Sequence, residues 1–243
     1  LLLYGERAKA LLIGKGLDGR KLFVIYNSLD FYEQQKLLND ISKDEVDAFR
    51  TRIGVADGDR IVVFSGRLQA NKKLSYLVKA VGILRQRNRV VHVAFIGDGD
   101  ESATLAKLAK RVGILSQIHF LGESYDERFL AQVFMSSDLS VIPSGAGLSV
   151  IHALGYGVPV LLHDRPEEHG PEWEAVREGE TGFFYRYGDI NDMADKIEDA
   201  LFPTSQKERM KEACLAVIRN RYNTAAHAGA IISAVNQIVE QKR

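Results

Sequence analysis

Two short stretches of this chain carry residue types suited to holding an anion. The first is Ser65-Gly66-Arg67-Leu68-Gln69-Ala70-Asn71-Lys72-Lys73, which sets a guanidinium and an ammonium five positions apart (72 − 67). Arg67 offers a planar fork that matches phosphate oxygens, Lys72 a mobile point charge, and Gly66 lets a ligand approach the backbone. The second is Pro143-Ser144-Gly145-Ala146-Gly147-Leu148-Ser149, where glycines precede an apolar run of helical period. Unpaired N–H groups at such a helix start suit phosphate or sugar hydroxyls. Taken alone, loop cations are usually solvated and a glycine often marks only a turn, so the position of each loop in the fold decides between the readings. His152 lies one turn into the helix, where a lone histidine is more often structural. His163-Asp164-Arg165-Pro166-Glu167-Glu168-His169 crowds metal-ligating types, but their spacing matches no zinc signature, and the stretch reads as a solvated loop bordering the cleft.

The elements that must position these loops alternate regularly from Arg60 onward. Strands are expected at Ile61–Ser65, Val91–Ile96, Ile118–Leu121, Leu139–Ile142, Val158–Leu162 and Phe183–Tyr185. Helices are expected between them at Leu74–Arg87, Ser102–Val112, Glu127–Met135 and Leu148–Leu154, then at Ile190–Leu201, Ser205–Asn220 and Thr224–Val239. Continuously apolar strands separated by amphipathic helices indicate a parallel sheet covered on both faces, and right-handed crossovers make it an α/β, doubly wound, Rossmann-like domain. Ligands in such sheets bind at the carboxyl ends of the strands, where both anion-holding stretches fall. Ahead of this domain, Tyr4–Lys15 reads as a helix, Leu22–Ile25 as a strand, and Phe31–Ile53 as helical with a break near Ser42. Residues 1–58 therefore read as a connecting region and 59–243 as the domain.

After the second strand, Gly97-Asp98-Gly99-Asp100-Glu101 reads as a tight turn with Asp100 capping the next helix. Ser102 stands where a dinucleotide fingerprint needs its third glycine. There is neither a GxxxxGK[ST] phosphate loop nor a GxSxG elbow, so nucleotide hydrolysis and serine-hydrolase chemistry lack their parts.

The 243 residues are 46% hydrophobic, ample for a buried core, and 32 Lys plus Arg balance 32 Asp plus Glu. No basic excess points to nucleic acid. The single cysteine, Cys214, excludes a disulfide within the chain and reads as packing on an amphipathic helix. The longest run without Asp, Glu, Lys or Arg, Leu139–His163, is cut by Pro143, Pro159 and four glycines into strand, loop, helix, turn and strand, so it reads as soluble core. No stretch reads as a signal peptide.

In this order the loops resemble the C-terminal half of a GT-B-fold retaining glycosyltransferase of family 4. Phe64-Ser65-Gly66-Arg67-Leu68 followed by Lys72 resembles the family's GRL…K element, Phe95-Ile96-Gly97-Asp98-Gly99 its GDG turn, and Phe120-Leu121-Gly122 its FLG strand end. Pro143-Ser144, Gly147-Leu148, Ala153-Leu154, Gly157-Val158-Pro159-Val160 and Glu178-Gly179-Glu180-Thr181-Gly182 follow in the family's order. Lys21–Asn27 resembles the segment joining the two halves, and the match runs from Lys21 to Leu201.

The resemblance implies a nucleotide-diphosphate sugar as donor, with no cofactor and no metal. Arg67 and Lys72 would grip the diphosphate and stabilise it as the sugar–phosphate bond breaks. Donor contacts would fall on Gly66, Ser144, Gly145, Gly147, Leu148, Ser149 and His152, with Ser124 near the base and Glu174 at the cleft rim. The family's paired glutamates, E-x7-E, correspond here to Ser144 and His152, which can hydrogen-bond hydroxyls but hold no fixed negative charge. Some polysaccharide-assembly members have a similar GL..IH element.

An acceptor domain needs well over about 100 residues, and only roughly 20 precede the joining segment. With Leu1 in place of methionine, the expectation is an excised donor domain, residues 1–58 being linker and a remnant of the acceptor domain. Such a piece would bind donor weakly and transfer nothing, and the helix Thr224–Val239 would lean toward the missing half. The implied whole is a cytoplasmic enzyme of polysaccharide biosynthesis acting on a glycan or lipid-linked acceptor, with room for peripheral association at the inner membrane face. The alternatives are a non-catalytic nucleotide-sugar-binding module and, less favoured, a sugar-nucleotide epimerase, whose acidic and histidine signatures are not evident.

Overall fold

The β-branched and aromatic runs become the strands of a parallel sheet in a computed structural model that describes residues 1–202 and 206–240. The chain opens with β1 (Leu2–Leu3), α1 (Glu6–Gly14) and β2 (Phe23–Val24), and β1 pairs with β2 in parallel. A two-residue strand has no period to read, so β1 had no signal in the sequence. Helices α2 (Phe31–Asp40) and α3 (Lys43–Arg52) meet at the expected break. Ser42 Oγ accepts from the Glu45 N–H, and the Glu45 carboxylate accepts from the Ser42 N–H at 2.9 Å, a reciprocal cap that starts a new helix.

The main sheet then alternates as predicted. In order come β3 (Arg60–Ser65), α4 (Leu74–Gln86), β4 (Val91–Ile96), α5 (Ser102–Arg111), β5 (Ile118–Gly122), α6 (Glu127–Met135), β6 (Leu139–Val141), α7 (Leu148–Gly155), β7 (Val160–His163) and β8 (Gly182–Tyr185). Three further helices follow: α8 (Ile190–Leu201), α9 (Lys207–Arg221) and α10 (Thr224–Glu240). Ser205, the expected start of the penultimate helix, lies outside the described residues. Spatial order is β5-β4-β3-β6-β7-β8 with every pair parallel, a doubly wound α/β sheet. The chain winds outward from β3 to β5 and then returns to lay β6 on the other side of β3. That reversal opens a crevice at the carboxyl ends of β3 and β6.

Ile61, Val62, Val63, Val93, Phe95, Leu161 and Leu162 are buried at the sheet's centre. Helices α2 and α3 add Phe31, Leu37, Ile41 and Phe49 to the same core. Arg50 of α3 ties them in, its guanidinium donating to the Ser136 carbonyl at 2.8 Å and the Asp59 carbonyl at 2.9 Å. The charge-free run Leu139–His163 is β6, α7 and β7 with their loops, largely buried. Among the described residues no helix is long and apolar enough to cross a membrane.

One local expectation is corrected. Asp100 does not cap α5. The capping position belongs to Glu101, which makes no side-chain cap bond, and Ser102 Oγ donates to the Gly99 carbonyl at 2.9 Å. The turn is closed by backbone: the Glu101 N–H donates to the Leu68 carbonyl at 3.0 Å, which puts Asp100 on the outside of the turn's last step.

Candidate functional site

The loop after β3 is shaped by the turn after β4. The Gly66 N–H donates to the Ile96 carbonyl and the Leu68 N–H to the Asp98 carbonyl, both at 2.9 Å. Gly97 and Gly99 have φ of 129° and 156°, and a Cβ on either would collide with the carbonyl of Gly66 or Leu68. The GDG turn is therefore a backbone cradle for the Gly66–Leu68 segment, which explains glycine at both positions. Beyond it, Ala70–Lys72 forms a single 3-10 turn and points the chain into α4.

The cationic loop and the glycine loop meet. Lys72 Nζ donates to the Gly145 carbonyl at 2.6 Å, and burial pulls its pKa below the usual lysine value. Arg67 is exposed, and its guanidinium makes no hydrogen bond among the described residues. Lys73 is engaged elsewhere: its ammonium lies 4.1 Å from the centre of the Tyr187 ring and donates to the Tyr187 hydroxyl.

The glycine loop is braced from behind. The Tyr185 hydroxyl donates to the Pro143 carbonyl at 2.8 Å, and the Gly170 N–H to the Ala146 carbonyl at 2.6 Å. His169 Nε2 lies 3.1 Å from the His163 carbonyl, which can only accept, so Nε2 carries the proton. His169 Nδ1 is then left to accept from the Ala146 N–H at 3.3 Å. Burial drives the pKa of His169 down and that of His163 down to about 4, so both rings are neutral near pH 7. Gly147 caps α7, its carbonyl accepting from the Val150 N–H at 2.9 Å, and Leu148 and Ser149 bring the start of the helix to the crevice.

A cavity of about 580 Å³ opens at the switch point. Gly66, Leu148, Ser149 and His152 line it with Ser65. The structure thus gathers those predicted residues, with Lys72, Gly145 and Gly147 joined through the glycine loop. Others lie apart. Ser144 is buried (4% exposed). Ser124 Oγ accepts from the Asp126 N–H at 3.2 Å, shaping the turn ahead of α6. The Glu174 carboxylate accepts from the N–H groups of Glu6 and Arg7, each at 2.8 Å, so it caps α1 and is not among the residues lining the cavity.

Two further residues, Glu127 and Gln34, line this cavity and had no signal in the sequence, and Tyr156 supports the first of them from behind. Glu127 Oε1 accepts from His152 Nε2 at 2.9 Å and from the Tyr156 hydroxyl at 2.6 Å. Gln34, from α2, lines the cavity too. Glu127 and His152 lie 25 positions apart on different helices, and no spacing rule connects them. A second cavity, about 670 Å³, is lined by Arg60, Asp138, Val158, Leu201 and Lys211 toward the opposite end of the sheet, and it contains none of the predicted residues. Among the described residues no group of three or more His, Cys, Asp or Glu side chains is placed to hold a metal ion. Cys214 is fully buried, its pKa pushed up to about 12 by desolvation, which makes it a packing residue.

Comparison with known proteins gives a consistent picture. The family described as Glycosyl transferases group 1 matches residues 45–215. The chain is similar to a D-inositol 3-phosphate glycosyltransferase of Nocardia farcinica, 35% identical over 173 residues, covering 67% of this chain and 37% of that protein. In structure it is similar to Anabaena HepE solved in complex with UDP, with a TM-score of 0.79 at 21% identity over 97% of this chain and 63% of that one. It is also similar to the sucrose-phosphate synthase of Thermosynechococcus elongatus, with a TM-score of 0.78 at 19% identity over 99% of this chain and 58% of that one. The chain spans less than half the length of the curated relatives it matches.

Proposed function

This chain belongs to the Glycosyl transferases group 1 family, and from that premise we propose that it is the donor-binding half of a retaining glycosyltransferase that uses a nucleotide-diphosphate sugar. The observation that carries the reading is the 2.6 Å bond from Lys72 Nζ to the Gly145 carbonyl, which sets the cationic loop against the positive end of α7. A diphosphate lying there meets the guanidinium of Arg67, the ammonium of Lys72 and the first N–H groups of α7. Lys72 is already aimed and exchanges a carbonyl oxygen for a phosphate oxygen, while Arg67 swings in from solvent.

As the sugar–phosphate bond breaks, negative charge grows on the departing diphosphate. Donors fixed beforehand stabilise that charge more than they stabilise the ground state, and this difference lowers the barrier. Two side-chain cations and a helix terminus supply the neutralisation, in keeping with a metal-independent transfer. The UDP bound by HepE supports a nucleoside-diphosphate donor, and the inositol-phosphate glycosyltransferase supports a hydroxyl acceptor. The acceptor, a glycan or lipid-linked polymer, would be held by chain beyond these residues, on the cytoplasmic side.

The test is calorimetric titration of the 243-residue chain with UDP, GDP and ADP. Lys72→Ala and Arg67→Ala should each weaken the productive titration by about tenfold or more, the worth of a charge-assisted hydrogen bond. Absence of binding by all three nucleotides, or variants indistinguishable from the parent, overturns the reading. Ser144 and His152 favour a second reading, a nucleotide-sugar-binding module without catalysis, because neither supplies a carboxylate beside the glycine loop. Sugar transfer by the longer protein that contains this domain would dispose of it.

A further inference from the structure

One wall of the 580 Å³ cavity gives what the phosphate loops cannot. Around Arg67, Lys72 and the start of α7, the groups offered to a ligand are donors. Inside the cavity, which neither cation lines, Glu127 offers an acceptor. Glu127, the first residue of α6, spends Oε1 on two donors, His152 Nε2 at 2.9 Å and the Tyr156 hydroxyl at 2.6 Å. Its Oε2 has no hydrogen-bond partner among the described residues, and Glu127 lines the cavity with a side chain 37% exposed. A carboxylate cannot donate, so His152 Nε2 holds the proton of their bond. These two donors keep the Glu127 pKa below the usual carboxylate range, so the acid is ionised.

Helix α6 does not need Glu127 for its own start. The Asp126 side chain already accepts from the N–H groups of Arg128 and Phe129. Gln34 lines the same cavity, but its Oε1 is buried against Gly155 of α7, so Glu127 Oε2 is the acceptor left open to a ligand. Neither Lys nor Arg lines this cavity. Unspent capacity here is therefore acceptor capacity without a cation, which selects a part of the ligand that donates and carries no negative charge. In a nucleotide sugar that part is a vicinal diol.

We propose that Glu127 is the diol-binding carboxylate of this site, its Oε2 accepting from adjacent hydroxyls of the donor, with His152 and Tyr156 as positioning residues that fix the carboxylate. The inference rests on the nucleotide-sugar reading and adds to it a residue on a different helix from the glycine loop. It explains how α7 can carry histidine where an acid would otherwise face the ligand: the histidine holds an acid supplied by α6. The hydroxyls belong either to the ribose or to the transferred sugar, and the probes separate the two.

The experiment compares UDP, GDP and ADP with their 2′,3′-dideoxy forms, and UDP with UDP-glucose, by calorimetry on the parent chain and on Glu127→Gln. Glutamine keeps an oxygen for His152 and Tyr156 but removes the charge. The expected result is a preference of about tenfold for the hydroxyl-bearing ligand in the parent, in one of the two comparisons, that collapses in Glu127→Gln while affinity for the dideoxy form or for UDP alone stays unchanged. A parent without either preference overturns the proposal without recourse to any variant. So does a Glu127→Gln protein that keeps the preference. If the parent binds none of the three ribonucleotides, the donor reading itself falls and takes this inference with it.

Discussion

At the amino-terminal end of the main sheet His92 stacks on His119, ring centres 5.2 Å apart, and at the carboxyl end His163 stacks on His169 at 4.0 Å. Residue type and partial burial are alike, and burial lowers the pKa of all four. The hydrogen bonds differ. At the amino-terminal end His92 Nε2 lies 3.3 Å from Asp59 Oδ2 and must donate, so its Nδ1 accepts from His119 Nε2 at 2.9 Å. That chain ends in a carboxylate and lines neither of the two cavities described above. At the carboxyl end His169 spends both ring nitrogens on backbone, one of them on the Ala146 N–H of the glycine loop, and His163 Nε2 is left buried without a partner. A buried polar atom left unpaired costs about 1–3 kcal/mol, a cost absent from the other pair. One pair closes a packing problem, whereas the other holds a loop at a crevice.

The comparison is sharpest at two glycines. A Cβ at Gly97, at the carboxyl end, would collide with the Gly66 carbonyl at a φ of 129°, whereas Gly58, just ahead of β3, has a φ of 90° with nothing within 4 Å of its Cβ position. Gly97→Ala should cost about 3 kcal/mol or more of unfolding free energy in urea, since both strain and overpacking act there. It should also disorder the Arg67 loop.

The histidine pairs themselves should separate next. His169→Phe keeps a ring but orphans the Ala146 N–H, with an expected cost of about 1–3 kcal/mol. The same substitution should weaken nucleoside-diphosphate binding through the loop. His119→Phe should lower stability comparably and leave nucleotide affinity untouched. If the two variants alter affinity equally, the distinction between the sheet's ends is wrong.

Acid should then act on both pairs together. Ordinary histidine titrates near 6.5, and His119 and His163 are driven down to about 4 in the folded chain. Between those values the unfolded chain binds more protons, so stability is full above pH 6.5 and is lost as pH falls toward 4. The melting midpoint should drop by a few degrees between pH 7 and pH 5. His119→Gln should flatten part of that slope. A midpoint independent of pH across this window would remove the claim that the rings are held neutral. Gly58→Ala is the smallest effect, about 1 kcal/mol from the left-handed backbone alone.

Much of the sheet was legible because its signals are local. Runs such as Val91–Ile96, apolar at each step but His92, read as buried parallel strands wherever they stand, and the carboxyl-end rule then pointed to Arg67, Lys72 and the Gly145–Ser149 loop. The candidate site was legible only in part. Lys72 reaching Gly145 agrees with two loops chosen for their residue types. The tie of Glu174 to α1 and the tie of Ser124 to its own turn depend on neighbours 168 and 2 positions away, and in neither case does residue type say which partner wins. His169 drew notice as a metal-ligand type, yet its work is to accept one N–H and donate to one carbonyl.

Periodicity and residue type settle which segments are strands and which are helices, since burial on one face or both is imposed residue by residue along the chain. From that alone follow the α/β alternation, the parallel sheet and the two loops at its carboxyl edge. The tertiary structure decided which side chains share an acceptor, that α2 lends Gln34 to the cavity, and that an acid from α6 stands beside a histidine from α7. Those outcomes depend on helix packing, which brings distant positions within hydrogen-bond reach without leaving any period in the sequence.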